Sequence, residues 1–191
     1  MKTWPVLLLL LLSLVTVAGA EESAPASAAA PAAPHWTHRI TGLFSPDREA
    51  DLRSALEQIR GVELVSLDFE HAEAVFAYDP AAAFKETKPE KVVERFNTLL
   101  GNATRHTMAV APLDPTPHEQ LARIEIGVSG LDCKACALAA YESIYKIPGV
   151  TAATVDFNSG RMTAEIDPAK TDRATLEGAL KKRGVTIKPE P

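Results

Sequence analysis

The 191-residue chain has two cysteines, and both lie in one short motif, Gly130-Leu131-Asp132-Cys133-Lys134-Ala135-Cys136. A C-x-x-C at the junction of a loop and a helix puts one sulfur in the loop and the other in the first helical turn. Free backbone N–H groups and the positive end of the helix there favour thiolate over thiol, and Lys134 adds a full charge nearby. Two adjacent thiolates are a ligand set for Cu(I), Zn(II), Cd(II) or Hg(II). They are too few to close a tetrahedral zinc site, so an ion held by Cys133 and Cys136 stays open to a third ligand from a partner. That suits transfer better than storage. Asp132 is a candidate third ligand, because a hard oxygen and a negative charge favour a divalent ion over linear Cu(I). Its other reading is a helix cap.

The remaining chemistry-bearing residues point nowhere else. His35 and His38 bracket Trp36 as H-x-x-H, which in a flexible segment is incidental. His71 falls in an expected hairpin turn, His106 in a last strand and His118 in a linker, none with a ligand at useful sequence spacing. The chain shows no Ser/His/Asp set, no phosphate-binding glycine loop and no HExxH, so a hydrolase or transferase has no support and no enzyme is expected. A net charge of −5, from 20 Lys+Arg against 25 Asp+Glu, argues against nucleic-acid binding.

The elements that must position the cysteines come from an internal repeat. At an offset of 88, Gly130-Leu131 falls on Gly42-Leu43, Gly149-Val150 on Gly61-Val62, Asp156-Phe157 on Asp68-Phe69, and Asp167-Pro168 on Asp79-Pro80. Periodicity follows the same register. Ala140, Ile144 and Ile147 fall on Leu52, Leu56 and Ile59 with helical spacing, while Ala153, Val155 and Phe157 fall on Val65, Leu67 and Phe69, alternating as on a strand. In the second block a strand through Ile124, Ile126 and Val128 leads into a helix from about Cys133 to Ile147. Strands follow at Val150–Phe157 and Arg161–Ile166, then a helix capped by Thr171 or Asp172 and stopped at Gly184, then a short strand at Val185–Ile187. The order is βαββαβ. The expected fold is α+β, two tandem ferredoxin-like domains, each an antiparallel sheet with both helices on one face.

With the motif set after a first strand and before a helix ending at Gly149-Val150, residues 122–188 resemble the heavy-metal-associated (HMA) domain. That family includes copper chaperones, periplasmic mercury-binding proteins and the N-terminal domains of metal-pumping P-type ATPases. Its motif is similar to Gly-Met-x-Cys-x-x-Cys, with Leu131 here in place of Met. The resemblance implies one heavy-metal ion of the Cu(I) or Zn(II) type on Cys133 and Cys136, and a metal-transport ATPase or another metal-binding domain as partner. An Asp just before the first cysteine resembles the zinc-, cadmium- and lead-type pumps more than the copper type. Val185 stands where the family often has an aromatic, and Lys182 or Arg183 could offset the charge of a bis-thiolate complex.

In the first block Ser45 and Arg48 fall under Cys133 and Cys136, and Phe44 under Asp132. That block is expected to lack metal binding of this mode and to serve as a spacer, docking surface or structural partner. Ser45 is the expected helix cap there, and Tyr141 and Tyr145 on the second block's first helix are expected at the surface or between domains. Residues 1–20 read as a secretory signal peptide, with Lys2, an apolar run from Val6 and Ala18-Gly19-Ala20 before Glu21. An exported, periplasmic or extracellular protein with no membrane span in the mature chain is expected. Residues 21–37 read as an Ala/Pro-rich disordered tether, 38–111 as the degenerate HMA-like domain, 112–121 as a Pro-rich linker and 122–189 as the HMA domain. Two rival functions stay open: a thiol–disulfide oxidoreductase using Cys133 and Cys136, since an oxidising compartment can close the pair, and an interaction domain that binds no metal.

Overall fold

The computed structural model describes residues 33–156 and 158–189. The expected signal peptide, the tether up to residue 32, and Phe157 lie outside the described residues. The first repeat comprises β1 (His35–Thr41), α1 (Arg48–Leu56), β2 (Glu63–Asp68), β3 (Glu73–Ala77), the single turn α2 (Pro80–Ala83), α3 (Val92–Ala103) and β4 (Ala109–Ala111). The second comprises β5 (Ala122–Ser129), α4 (Lys134–Tyr145), β6 (Val150–Asp156), β7 (Arg161–Ile166), α5 (Arg173–Lys182) and β8 (Thr186–Ile187). Both sheets are antiparallel, ordered β2-β3-β1-β4 and β6-β7-β5-β8. This is the expected ferredoxin-like arrangement, formed twice. Among the described residues no helix is long and apolar enough to cross a membrane.

The repeat persists down to individual hydrogen bonds. Asp68 and Asp156 each use Oδ1 to accept the N–H two residues on, at 3.0 and 2.8 Å, and so shape the two hairpins. Asp79 and Asp167 do the same at 2.9 and 3.0 Å where each third strand ends. Gly42 and Gly130 both have positive φ, +91° and +84°, at the loop that leads into each first helix. At Gly42 the need is also steric, since an added Cβ would lie 2.0 Å from the Thr107 carbonyl oxygen.

Several boundaries differ from expectation. Residues 35–37 belong to β1, not to the tether, because Trp36 and Thr37 pair with Phe76 and Val75. Strand alternation then sends His35 outward, whereas His38 is buried with Nε2 2.7 Å from the Tyr78 hydroxyl, so the two do not share an ion. His106 sits in the turn before β4, with φ +61° and its N–H donating to the Gly101 carbonyl, not in the strand. Ser45 does not cap α1. That helix begins three residues later, with Asp47 at the cap position making no side-chain cap bond, and the Ser45 hydroxyl donates to the Asp47 carboxylate.

Each repeat buries one face of its sheet under its helices. The first core is aromatic, with Phe76 and Phe96 edge to face at 5.0 Å and Tyr78 and Phe84 at 5.3 Å. The second core is mostly aliphatic and takes a ring from the first repeat, Phe44, which is 2% exposed and packs 6.0 Å from Tyr141. Ala33 onward forms one compact unit. The Phe44 carbonyl accepts the Val155 N–H at 2.8 Å and so satisfies one donor on the outer edge of β6, an edge strand. Gly42 N–H donates to the Tyr141 hydroxyl at 2.8 Å, so Tyr141 is an inter-domain residue and buried.

This packing sets the expected effect of three substitutions. Gly42→Ala, which meets both the positive φ and the Thr107 carbonyl, is expected to cost more than about 2 kcal/mol. Gly178→Ala, in α5 where a Cβ meets nothing within 4 Å, is expected to stabilise by up to about 1 kcal/mol. Urea unfolding checks both signs. Phe44→Ala should cost roughly 3–5 kcal/mol and should lower the unfolding midpoint of the second repeat as well as the first, read by amide exchange at Val155 and Tyr141.

Candidate metal centre

The motif is built by the change from strand to helix. β5 ends at Ser129, Gly130 turns the chain, and Leu131, 7% exposed, plugs the loop into the core. Cys133 then adopts an extended conformation, φ −157° and ψ 160°, and is itself the cap of α4, its Sγ accepting the Cys136 N–H at 3.2 Å. The cap is therefore the sulfur and not the Asp132 carboxylate. A thiolate is a better acceptor there than a thiol, so the same geometry that starts the helix favours the charged form.

Both cysteines are free thiols. Cys133 is exposed, and Cys136 is half-buried against the core. Hydrogen bonding from the Cys136 thiol, and then from its backbone N–H, holds Cys133 below the ordinary thiol range, against opposing contributions from desolvation and, less, from the Asp132 charge. The same contact with Cys133, together with burial, pushes Cys136 up. The exposed sulfur is thus the one whose thiolate is favoured, and its half-buried partner is shifted the other way. Lys134 was expected to supply charge here. Instead its ammonium pairs with the Asp47 carboxylate of the first repeat.

Asp132 stays exposed beside Cys133. The loop before β8 faces the motif, since a Cβ on Gly130 would lie 3.8 Å from the Gly184 carbonyl. Val185 is buried in the core, while Lys182 and Arg183 stand exposed at the end of α5. A hollow of about 710 Å³ along α5 and β8, lined by Arg173, Glu177 and Lys188, contains neither cysteine.

The equivalent loop of the first repeat has kept the shape and changed the chemistry. Arg48, in the register of Cys136, donates from Nε to the Gly42 carbonyl at 3.3 Å and from Nη2 to the Thr107 hydroxyl at 2.9 Å. Its guanidinium lies 5.3 Å from the Phe44 ring centroid. A cation with fixed donors thus ties loop to helix, and no soft ligand is present. His71, His118 and Glu165 come within 4.8 Å of one another through their ligating atoms. Hairpin, linker and strand contribute one residue each, so no local spacing announces the cluster.

The family model of the heavy-metal-associated domain matches residues 125–186. No curated protein matches the chain. Solved structures that do match include the N-terminal domain of a potential copper-translocating P-type ATPase from Bacillus subtilis in its Cu(I)-loaded state. It is 31% identical, covers 36% of this chain and 85% of that one, and has a TM-score of 0.34. Oxidised MerP from Ralstonia metallidurans CH34 is 27% identical over 36% of this chain and 99% of that one, TM-score 0.34. The N-terminal soluble domains of Bacillus subtilis CopA are 20% identical over 81% of this chain and 92% of that one, TM-score 0.34.

Exposure and the lowered thiol range act together on Cys133. Iodoacetamide at neutral pH is expected to modify Cys133 before Cys136, as read by peptide mass mapping at short times. Equal rates, or the reverse order, would contradict the geometry.

Proposed function

We infer, from the heavy-metal-associated domain that residues 125–186 form, that this chain is an exported, non-catalytic metal carrier that takes one soft or borderline ion on Cys133 and Cys136. The observation that carries the reading is the exposed, free dithiol at the start of α4, with the Cys136 N–H already aimed at the Cys133 sulfur. A thiolate pair of this kind suits Cu(I) or a divalent ion of the Zn(II) class. Asp132, exposed beside the pair, supplies the oxygen that would favour the divalent ion.

Access supports hand-over. The first repeat docks through Phe44 and Asp47 near α4, yet Cys133 stays exposed. A second metal-binding domain, such as that of a metal-transport ATPase, can bring its own thiolates to the open side while the ion is still held. Export is read from residues 1–20, whose charged start, apolar run and small-residue site fit a signal peptide. The low thiol range of an exposed Cys133 also suits a thiol–disulfide oxidoreductase, and this is the second reading.

One titration separates them. The reduced chain, given Cu(I) and Zn(II) in competition with a chelator, is expected to bind one equivalent of at least one of them with Kd below about 1 µM. Cys133→Ser and Cys136→Ser should each weaken that binding at least about tenfold, or 1.4 kcal/mol. Fast dithiol turnover on a disulfide substrate, without appreciable affinity for either ion, would replace this reading with the oxidoreductase.

A further inference from the structure

We propose that His71, His118 and Glu165 form a second metal site, for a divalent ion of the Zn(II) class, that clasps the first repeat, the linker and the second repeat together. The site is independent of the cysteine pair. His71 comes from the hairpin between β2 and β3, His118 from a single helical turn at His118–Gln120 in the linker, and Glu165 from β7. Sheet order and inter-domain docking bring them together, and the ligating atoms lie within 4.8 Å of one another.

Both imidazoles approach carboxylates of the first repeat, His71 through a hydrogen bond and His118 through a longer ion-pair contact. His71 has Nδ1 2.8 Å from the Asp68 carboxylate and Nε2 3.4 Å from Glu165 Oε1. His118 has Nε2 3.3 Å from the Glu73 carboxylate and Nδ1 3.9 Å from Glu165 Oε2. Each ring therefore has one nitrogen on a carboxylate of the first repeat and turns the other towards Glu165. This is the outer-shell arrangement that orients metal-bound histidines. A carboxylate accepts one ring N–H, fixes the tautomer and leaves the other nitrogen's lone pair free.

With His71 in that tautomer its Nε2 lone pair faces Glu165 Oε1, and His118 Nδ1 lies on the side of Oε2, oxygens of the same charge sense as the lone pairs. A positive centre between them removes that conflict. Glu165 is well placed to need one. Its side chain is 12% exposed, and its Oε2 is buried and accepts no hydrogen bond among the described residues. Arg123, its cross-strand partner on β5, is paired with Glu70 at 3.4 Å. Zinc bonds of about 2.0–2.1 Å imply a ligand-to-ligand edge of roughly 3.3–3.4 Å in a tetrahedron. The His71 Nε2–Glu165 Oε1 separation of 3.4 Å matches that edge, whereas His118 Nδ1 stands 3.9 Å from the other oxygen, Oε2, and the three ligating atoms lie within 4.8 Å of one another, so the exposed linker must close on the ion. Two imidazole nitrogens and one carboxylate suit a borderline divalent ion and are a poor set for Cu(I), so the two sites differ in the cations they select.

The test uses the full chain carrying Cys133→Ser and Cys136→Ser, with Zn(II) as the probe in competition with a chromogenic chelator. The expected result is one equivalent bound with Kd tighter than about 10 µM, and a rise in Tm when zinc is added. Adding His118→Ala, at a half-exposed linker position, should weaken binding at least about tenfold and remove the zinc-dependent rise in Tm. The Tm without zinc should stay where it was, which shows that the variant folds. His71→Ala should behave alike. No zinc bound by the cysteine-free chain would overturn the proposal, as would binding indifferent to both histidines, which would leave the cluster as a histidine–carboxylate ion pair. Neither result bears on the cysteine pair, whose failure would show only in the chain that retains it.

Discussion

The loop Gly42-Leu43-Phe44 is the contact on which the rest of the molecule depends. It closes the first repeat's own core through Leu43, adds the Phe44 ring to the second core beside Tyr141, and pairs the Val155 N–H on the outer edge of β6 through the Phe44 carbonyl. Its Gly42 N–H also binds the buried Tyr141 hydroxyl on the helix that begins at the cysteines. An edge strand left open invites pairing with other chains, and a small aliphatic core has little stability to spare. One loop answers both needs, so the two repeats behave as one unit rather than as beads on a linker.

This docking also explains why the first repeat has kept its loop while losing its sulfurs. In the second repeat the loop must start a helix and leave two thiols accessible. In the first it must start a helix and present Phe44. The backbone requirement, a residue with positive φ followed by an apolar plug, is common to both, and Gly-Leu persists at each. The ligand requirement is not common, and Arg48 supplies the tie between loop and helix instead, through the Gly42 carbonyl and the Thr107 hydroxyl while also pairing with Asp51. The opposite net charges of the two blocks, −3 for 38–112 and +2 for 122–188, appear at the interface as Lys134 with Asp47 and Arg123 with Glu70. These pairs are exposed and orient the domains more than they stabilise them.

Cysteine behaviour at α4 shows where local reasoning reaches its limit. That the pair sits at a helix start was readable from Gly130-Leu131 and the apolar spacing after it, because capping and periodicity act over a few residues. Which group caps the helix was not readable. Asp132 and Cys133 are adjacent and both can accept a hydrogen bond, and the extended backbone at Cys133 selects the sulfur. The charge of Lys134 was misplaced for a related reason, since its partner Asp47 is contributed by the other repeat.

The sequence by itself determined the two βαββαβ units, their shared register, and the place of the thiol pair within the second. Those features rest on side-chain period, turn residues and caps, each legible within a dozen positions. Tertiary structure alone decided that Phe44 belongs to the neighbouring core, that residues 35–37 pair as strand, and that His71, His118 and Glu165 converge. Such contacts depend on which strands become neighbours and how one sheet docks beside another. No local period encodes that, because the residues involved are set together only after both cores have formed.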